Sequence, residues 1–245
     1  MSGRATGETL RRRGAVLAIG LLATLTGCQA SHTPPEVPVP AEAGATPDPA
    51  LPGPNAPSVQ LDIDRLPEDF VHTGGEPRDA AAIDMIVIHT IGGPLCEGGA
   101  IRFADITRDA VFWRDWFLAQ DDKSIHYIVG RDGDIAQQRP DLRTAGHVSY
   151  HGIKPDVNKR SIGIELINDG DGEDPFPAVQ IEALTALVKN LSTRYSLGPD
   201  DIHSHSELDP RKLSGCGDNY RRVDPGPLFP MDELKAALAN SGAGR

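Results

Sequence analysis

The sequence has few cysteines, few aromatic residues and an excess of acidic over basic side chains. Three cysteines in 245 residues exclude a small scaffold held together by several disulfides. Only 24 lysines and arginines oppose 35 aspartates and glutamates, so the formal net charge is −11. This charge argues against nucleic-acid binding, which requires a basic surface, and against adhesion to an anionic membrane through bulk charge. No nucleic-acid partner is therefore predicted.

Long apolar runs are also scarce, and the one that stands out lies near the N-terminus. Three arginines at residues 11–13 precede a 12-residue apolar run at 14–25 (GAVLAIGLLATL), which is too short to span a bilayer but typical of a signal peptide. It ends in Leu-Thr-Gly-Cys at 25–28, which resembles the lipobox of bacterial lipoproteins. We therefore predict a lipoprotein signal peptide over residues 1–27 and lipidation of Cys28. An ordinary signal peptide with an incidental Cys28 is the alternative.

This resemblance also implies a location in the bacterial cell envelope. An acyl chain on Cys28 anchors a protein to the membrane without spanning it. Gln29, rather than an aspartate, follows the cysteine, which favours the outer membrane, facing the periplasm, in a cell that has one. We therefore expect a lipid-anchored protein of the outer membrane.

The segment that follows, residues 28–60, is rich in Pro, Ala and Gly and shows no apolar periodicity. Such a segment cannot bury enough surface to fold, and its prolines favour an extended spacer. We therefore predict a tether that leads to a domain over residues 61–245. That length is sufficient for one sizeable core.

Within this domain, short apolar runs alternate with segments of helical periodicity. In one helical segment Val111, Phe112, Trp116 and Phe117 recur at helical intervals. Two strands flank a Gly-Arg-Asp-Gly turn, which is typical of a hairpin. The order favours an α/β or α+β fold around a central sheet. The predicted strands are residues 83–89, 124–129, 134–138 and 161–167. The predicted helices are residues 108–120, 178–195 and 231–238.

Four polar features break the local pattern. His89 ends an apolar strand, and Glu165 lies inside another, where a carboxylate is costly unless it is paired, bound to metal or catalytic. His203 and His205 alternate in IHSHS, and Asp224 opens Asp-Pro-Gly-Pro. Singly, each has an ordinary explanation, such as a core histidine or a solvent-facing glutamate. Together they supply the two histidines, the aspartate and the spare carboxylate of a catalytic zinc site.

These motifs, in this order, resemble the zinc-dependent N-acetylmuramoyl-L-alanine amidases of the amidase-2 family, which includes peptidoglycan recognition proteins. The resemblance covers about residues 83–238 and implies an α/β fold with a central mixed β-sheet flanked by helices. It implies hydrolysis of the amide between N-acetylmuramic acid and L-alanine, with peptidoglycan or muropeptides as partners. The alternatives are a non-catalytic peptidoglycan-binding module and a zinc hydrolase for another amide. The matching stretches are IVIHT (86–90), SIHYIV (124–129), NKRSIGIE (158–165), IHSHS (202–206) and DPGPLFP (224–230).

The resemblance also implies a set of metal ligands. His89, His205 and Asp224 would bind one Zn²⁺ and leave its fourth position open for water. His203 is the alternative to His205, which precedes a serine after a small residue as the family ligand does. Cys216 is the alternative to Asp224, because some relatives use a cysteine as the third ligand.

Further roles follow from the same resemblance. Glu165 matches the general base, and a nearby cation would stabilise the oxyanion of the transition state. The family usually has a lysine two residues before the aspartate ligand. Here Arg222 holds that place, after an insertion, and Lys212 is the alternative. His147 matches a histidine that lines the groove, and we assign it with His126 to substrate binding. A structural role stays open for both, and for His126 also a role behind the metal ligands.

A disulfide is the last expectation. Cys96 lies in the loop after His89, and Cys216 lies in the insertion before Asp224, so both loops are expected at the rim of the zinc site. In an exported domain, two remaining cysteines favour a disulfide bond between them.

Overall fold

The computed structural model describes residues 61–67, 70, 74–91, 95–98, 100–102, 106–211 and 223–242. The predicted signal peptide and tether therefore lie outside the described residues, and so do Cys28, Lys212, Cys216 and Arg222. No helix in the described ranges has both the length and the apolar character that crossing a bilayer requires.

A mixed sheet of six strands forms the centre of the domain. Its order is β1-β6-β5-β7-β2-β8, and all neighbours run parallel except the hairpin partners β5 and β6. A separate antiparallel pair is formed by β3 and β4. The strands are β1 (Ile63–Arg65), β2 (Met85–Thr90), β3 (Leu95–Glu97), β4 (Ala100–Arg102), β5 (Tyr127–Val129), β6 (Ile135–Gln137), β7 (Ser161–Leu166) and β8 (Ile202–Ser204).

Helices flank this sheet, so the predicted α/β class with a central mixed sheet is confirmed. The longest, α3, has the predicted bounds, and α5 extends four residues beyond its predicted end. The helices are α1 (Ala110–Leu118), α2 (Val157–Arg160), α3 (Ala178–Tyr195), α4 (His205–Leu208) and α5 (Met231–Gly242).

Two neighbouring interior strands of the sheet, β7 and β2, are buried at all six positions each. Strands that are covered on both faces are built from continuous apolar runs, as the sequence of β2 is. On one face, Ile86, Ile88, Ile162 and Ile164 join the core that α3 and α5 complete. Because side chains alternate along a strand, His89 and Glu165 point to the opposite face.

The apolar stripe of α3 explains most of this core. Its buried members recur three and four residues apart, which places them on one side of a helix. Ser196 ends α3 in a left-handed conformation, and its N–H donates to the Ser192 carbonyl. The apolar members that face the sheet are Ile181, Leu184, Leu187, Val188 and Leu191.

The buried face of α1 differs from the predicted one. Trp113 and Phe117 are buried with Ala110 against β5 and β6, whereas about two fifths of the surface of Phe112 and of Trp116 is exposed. Apolar residues surround this helix on several sides, so its periodicity alone does not decide which side meets the sheet. The Ala110 N–H donates a hydrogen bond to the Asp134 carboxylate in the β5–β6 turn at 2.9 Å, which joins the start of the helix to that hairpin.

We expect Leu184→Ala to lower the free energy of unfolding by about 2–5 kcal/mol, since Leu184 is fully buried in the main core. Urea unfolding followed by circular dichroism measures this loss. Leu142→Ala is the matched control, because Leu142 is about half exposed and its truncation should cost less than about 0.5 kcal/mol. Equal losses in both variants would contradict the assignment of Leu184 to the core.

Candidate active site

The register of strands β2 and β7 places His89 beside Glu165. The Cα atoms of these residues are partners in the parallel pair β2–β7, so their side chains leave the sheet on the same face. Both are buried, with 2% of His89 and 9% of Glu165 exposed. The sequence pattern does not decide whether Glu165 is buried or faces solvent; the structure shows it buried next to a histidine.

The start of α4 positions His205. Strand β8 pairs with β2 and ends at Ser204, which is the N-cap of α4. The Ser204 hydroxyl accepts a hydrogen bond from the Glu207 N–H, and the Glu207 carboxylate accepts one from the Ser204 N–H. This capping box fixes the direction of the first helical turn, and so the direction of the His205 side chain.

The Asp224 carboxylate is tied to both neighbouring segments. Its Oδ1 accepts a hydrogen bond from the Thr90 N–H at 2.6 Å, and its Oδ2 lies 2.8 Å from Nδ1 of His205. Burial raises the pKa of Asp224, but the neighbouring rings of His205 and His89 outweigh burial and hold that pKa well below its ordinary value. Asp224 is therefore a buried, ionised carboxylate.

Three donor atoms from separate parts of the chain meet here. The Nδ1 atoms of His89 and His205 are 3.0 Å apart, and Nδ1 of His89 is 3.5 Å from Oδ2 of Asp224. In the described ranges this is the one His/Cys/Asp/Glu group whose ligand atoms all lie within 4.8 Å of one another. Two imidazole nitrogens and one carboxylate oxygen form a donor set that suits Zn²⁺, so these residues fit the metal that the sequence predicts.

His147 lies directly behind this cluster. Its Nδ1 is 2.9 Å from Nε2 of His89, and its Nε2 is 2.9 Å from the Ser161 hydroxyl. Burial, and then the neighbouring His89, hold the pKa of His147 well below its ordinary value, so the ring is neutral. Both ring nitrogens are engaged within the protein, and the assignment of His147 to substrate binding stays a prediction.

His126 lies deeper in the protein than expected for a residue that contacts the substrate. It is fully buried, its Nδ1 accepts a hydrogen bond from the Gly163 N–H, and its Nε2 lies 2.9 Å from the Arg143 carbonyl. Burial and the charge of Arg78 lower the pKa of His126 to about 3. This burial does not support direct contact with a substrate; it agrees with the alternative role behind the metal ligands.

The remaining predicted residues fall into two groups. His203 is outside the cluster, with its Nδ1 3.4 Å from Glu207, so the structure brings together His205 rather than its alternative. Cys96 is disulfide-bonded. The other two cysteines lie outside the described residues, so the pairing of Cys96 with Cys216 stays a prediction. Arg222 and Lys212 also lie outside the described residues, and so their roles are predictions too.

Three residues that hold the site in place have no role predicted from the sequence. Thr90 forms a hydrogen bond with Asp224, and Ser161 forms one with His147. The Asn158 side-chain oxygen accepts hydrogen bonds from the backbone N–H groups of residues 147 and 148, and its amide nitrogen donates to the carbonyl of residue 148. Ser161 and Asn158 both lie in the NKRSIGIE stretch that carries the resemblance. Their position in that stretch is a signal in the sequence, but only the fold shows what they contact.

We expect Gly163→Ala to destabilise the protein by about 1–3 kcal/mol through overpacking. A Cβ atom at this position would lie 2.6 Å from Cδ1 of Ile125 and 2.9 Å from Cγ of His147. Thermal unfolding measures the effect, and Gly198→Ala is the control for an added methyl group, because φ of Gly198 is −101° and a Cβ there would meet only Oδ2 of Asp201, at 3.7 Å. A native melting temperature for Gly163→Ala would contradict this close packing.

Comparison with known proteins points to one family. The profile described as N-acetylmuramoyl-L-alanine amidase, of the amidase-2 group, matches residues 79–227. The chain is 32% identical over 165 residues to the 1,6-anhydro-N-acetylmuramyl-L-alanine amidase AmpD of Enterobacter cloacae, covering 64% of this chain and 81% of that protein. It is 36% identical over 85 residues to the N-acetylmuramoyl-L-alanine amidase AmiD of Escherichia coli (strain K12), covering 32% of this chain and 28% of that protein. The fold is similar to that of a selenomethionine derivative of AmpD, with a TM-score of 0.50 at 24% identity over 73% of this chain and 96% of that chain.

Proposed function

This chain belongs to the amidase-2 family of N-acetylmuramoyl-L-alanine amidases, and on that basis we propose that it uses zinc to hydrolyse the amide between N-acetylmuramic acid and L-alanine in peptidoglycan or muropeptides. The observation that carries this proposal is the buried cluster of His89, His205 and Asp224 with Glu165 on the adjacent strand.

The cluster is where the metal would be held. His89 and His205 would each contribute Nδ1, and Asp224 would contribute a carboxylate oxygen. A bound zinc ion supplies Lewis acidity, which lowers the pKa of a water molecule and polarises a carbonyl group. The Thr90 N–H holds the Asp224 carboxylate in place, so the ligand does not have to be ordered when the metal binds.

Glu165 would act as the general base and then as the general acid. Its carboxylate would accept a proton from the water that attacks the scissile carbonyl, and would pass that proton to the amine of L-alanine as the C–N bond breaks. Arg222, or alternatively Lys212, would stabilise the negative charge that develops on the carbonyl oxygen. The products are a free lactyl carboxylate on the muramic acid and a peptide with a free amino terminus.

Mass spectrometry of digested substrate tests this proposal. The purified protein with one equivalent of zinc is incubated with isolated sacculi, and separately with anhydro-muropeptides, each with and without a chelator. We expect release of peptides that begin with L-alanine, and loss of that release when the chelator is present. Binding to sacculi without release of peptides would support a non-catalytic binding module instead. Cleavage of another amide would contradict the proposed bond.

We also propose that residues 1–60 deliver and tether this enzyme in the cell envelope. The lipobox-like ending at Cys28 and the proline-rich composition of residues 29–60 support a lipid anchor on Cys28 and a spacer to the domain. Metabolic labelling with a fatty-acid analogue tests this proposal, with Cys28→Ser as the variant that should lose the label. Label that persists in Cys28→Ser would contradict lipidation at this cysteine.

A further inference from the structure

A chain of three hydrogen bonds leads from a backbone carbonyl to the back of His89. The Ser161 hydroxyl lies 2.7 Å from the Val157 carbonyl oxygen, His147 Nε2 lies 2.9 Å from that hydroxyl, and His89 Nε2 lies 2.9 Å from His147 Nδ1. Ser161 is fully buried and His89 nearly so. The two outer side chains are therefore shielded from water, whereas His147 between them is partly exposed.

The carbonyl at one end gives this chain a direction. A carbonyl oxygen accepts only, and two oxygens 2.7 Å apart repel unless a hydrogen lies between them, so Ser161 donates its one hydrogen to Val157. The Ser161 oxygen must then accept from Nε2–H of His147. A neutral His147 with its hydrogen on Nε2 has only a lone pair on Nδ1. The hydrogen shared with His89 therefore belongs to Nε2 of His89.

From this direction we infer that His147 and Ser161 are positioning residues that hold His89 in the Nε2–H tautomer, with the lone pair of Nδ1 directed at the metal cluster. The inference rests on the proposed function, because Nδ1 of His89 is the proposed ligand atom. A metal-binding histidine is commonly oriented by the partner of its other ring nitrogen. Here that partner is a second histidine, which a serine orients in turn.

Nε2 of His205 has no comparable hydrogen-bond partner among the described residues, so this histidine serves as an internal reference for His89. Its Nε2 is 3.8 Å from the Asp209 carboxylate, beyond hydrogen-bond distance, and its Nδ1 is 2.8 Å from Asp224. Without metal, His205 therefore carries its hydrogen on Nδ1, where it bonds Asp224. The two ligand histidines are expected to differ in tautomer in the metal-free protein, and only that of His89 should respond to changes at His147 and Ser161.

Long-range ¹H–¹⁵N spectra of the metal-free protein, labelled at histidine, test this inference without any activity assay. In the wild type we expect the Nε2–H form for His89 and the Nδ1–H form for His205. Ser161→Ala and His147→Leu should give His89 a mixture of both forms. His147→Gln should restore the Nε2–H form, since its amide oxygen can accept the same hydrogen bond. Ser192→Ala is the matched control, because Ser192 is a buried serine of α3, the helix that packs on the opposite face of the sheet. It should leave the tautomers of both histidines unchanged.

Zinc affinity, measured by competition with a chromophoric chelator, is the second readout. We expect Ser161→Ala and His147→Leu to weaken zinc binding by about 10–100-fold, and His147→Gln to recover most of the loss. If His147→Leu does not fold, Ser161→Ala alone carries the test. An Nδ1–H form of His89 in the wild type, or native tautomer and affinity in Ser161→Ala, would overturn the inference. Hydrolysis that resists chelators, with the expected tautomers intact, would overturn the proposed function instead.

Discussion

Glu165→Gln is expected to lower kcat for muropeptide hydrolysis by about 10²–10⁴-fold, which is the usual contribution of a general base. The substitution keeps the size of the side chain and removes its ability to accept a proton. Because Glu165 is not one of the three clustered donor residues, zinc affinity and the melting temperature should stay close to native values. Steady-state kinetics on a defined muropeptide, together with a chelator competition for zinc, measure these quantities.

The matched control for this prediction is Glu182→Gln, which makes the same chemical change on α3, a helix that packs on the other face of the sheet. It should leave kcat unchanged. A Glu165→Gln enzyme that keeps more than about a tenth of the native kcat would be incompatible with general-base catalysis by this residue. A parallel loss of zinc binding would indicate that Glu165 acts on the metal site instead.

Asp224→Ala is expected to weaken zinc binding by more than about 100-fold, a larger loss than for residues that only support a ligand. It should abolish the chelator-sensitive activity as well. The substitution removes one of three donor residues and also leaves the Thr90 N–H and the His205 Nδ1–H without their acceptor. Two buried donors without an acceptor should lower the free energy of unfolding of the metal-free protein by about 1–3 kcal/mol each.

Isothermal titration with zinc and urea unfolding in chelator separate these two effects. Asp121→Ala serves as the control, since Asp121 is exposed and distant in sequence from the cluster. Native zinc affinity in Asp224→Ala would exclude this residue as a ligand and would favour Cys216, the alternative third ligand. An Asp224→Ala/Cys216→Ala double variant would then be expected to lose the binding that remains.

The sequence predicts correctly those helices and strands whose pattern of apolar residues is compatible with only one buried face. Helix α3 has a single apolar stripe, and its bounds agree with the prediction at both ends. Strands β2 and β7 are apolar runs too short for a buried helix. Helix α1 is the contrary case: apolar residues lie on several sides, so only contact with the β5–β6 hairpin shows that Trp113 is buried and Trp116 is not.

In the candidate site, too, some features are predictable from the sequence and others are not. Residue types and motif order alone predict that His89, His205, Asp224 and Glu165 form one site, because those side chains are unusual in the segments where they occur. The direction of the hydrogen bonds behind His89 was inaccessible, since a buried serine at the start of a strand has no chemical signature in a sequence. The burial of His126 is not predictable from the sequence for a related reason. Alternation along a strand indicates which face of the sheet a side chain is on, but not what covers that face.

The hydrogen bond between Thr90 and Asp224 joins residues 134 positions apart, and this separation orders events during synthesis of the chain. All six strands of the sheet have been made once residue 204 has left the ribosome. The third donor residue and the helix α5, which closes the main core, follow only later. A nascent or truncated chain that ends before residue 224 therefore contains every strand of the described sheet and both proposed ligand histidines, yet lacks the third proposed ligand. An incomplete product of this gene would accordingly lack the proposed zinc site, whatever part of its sheet had formed.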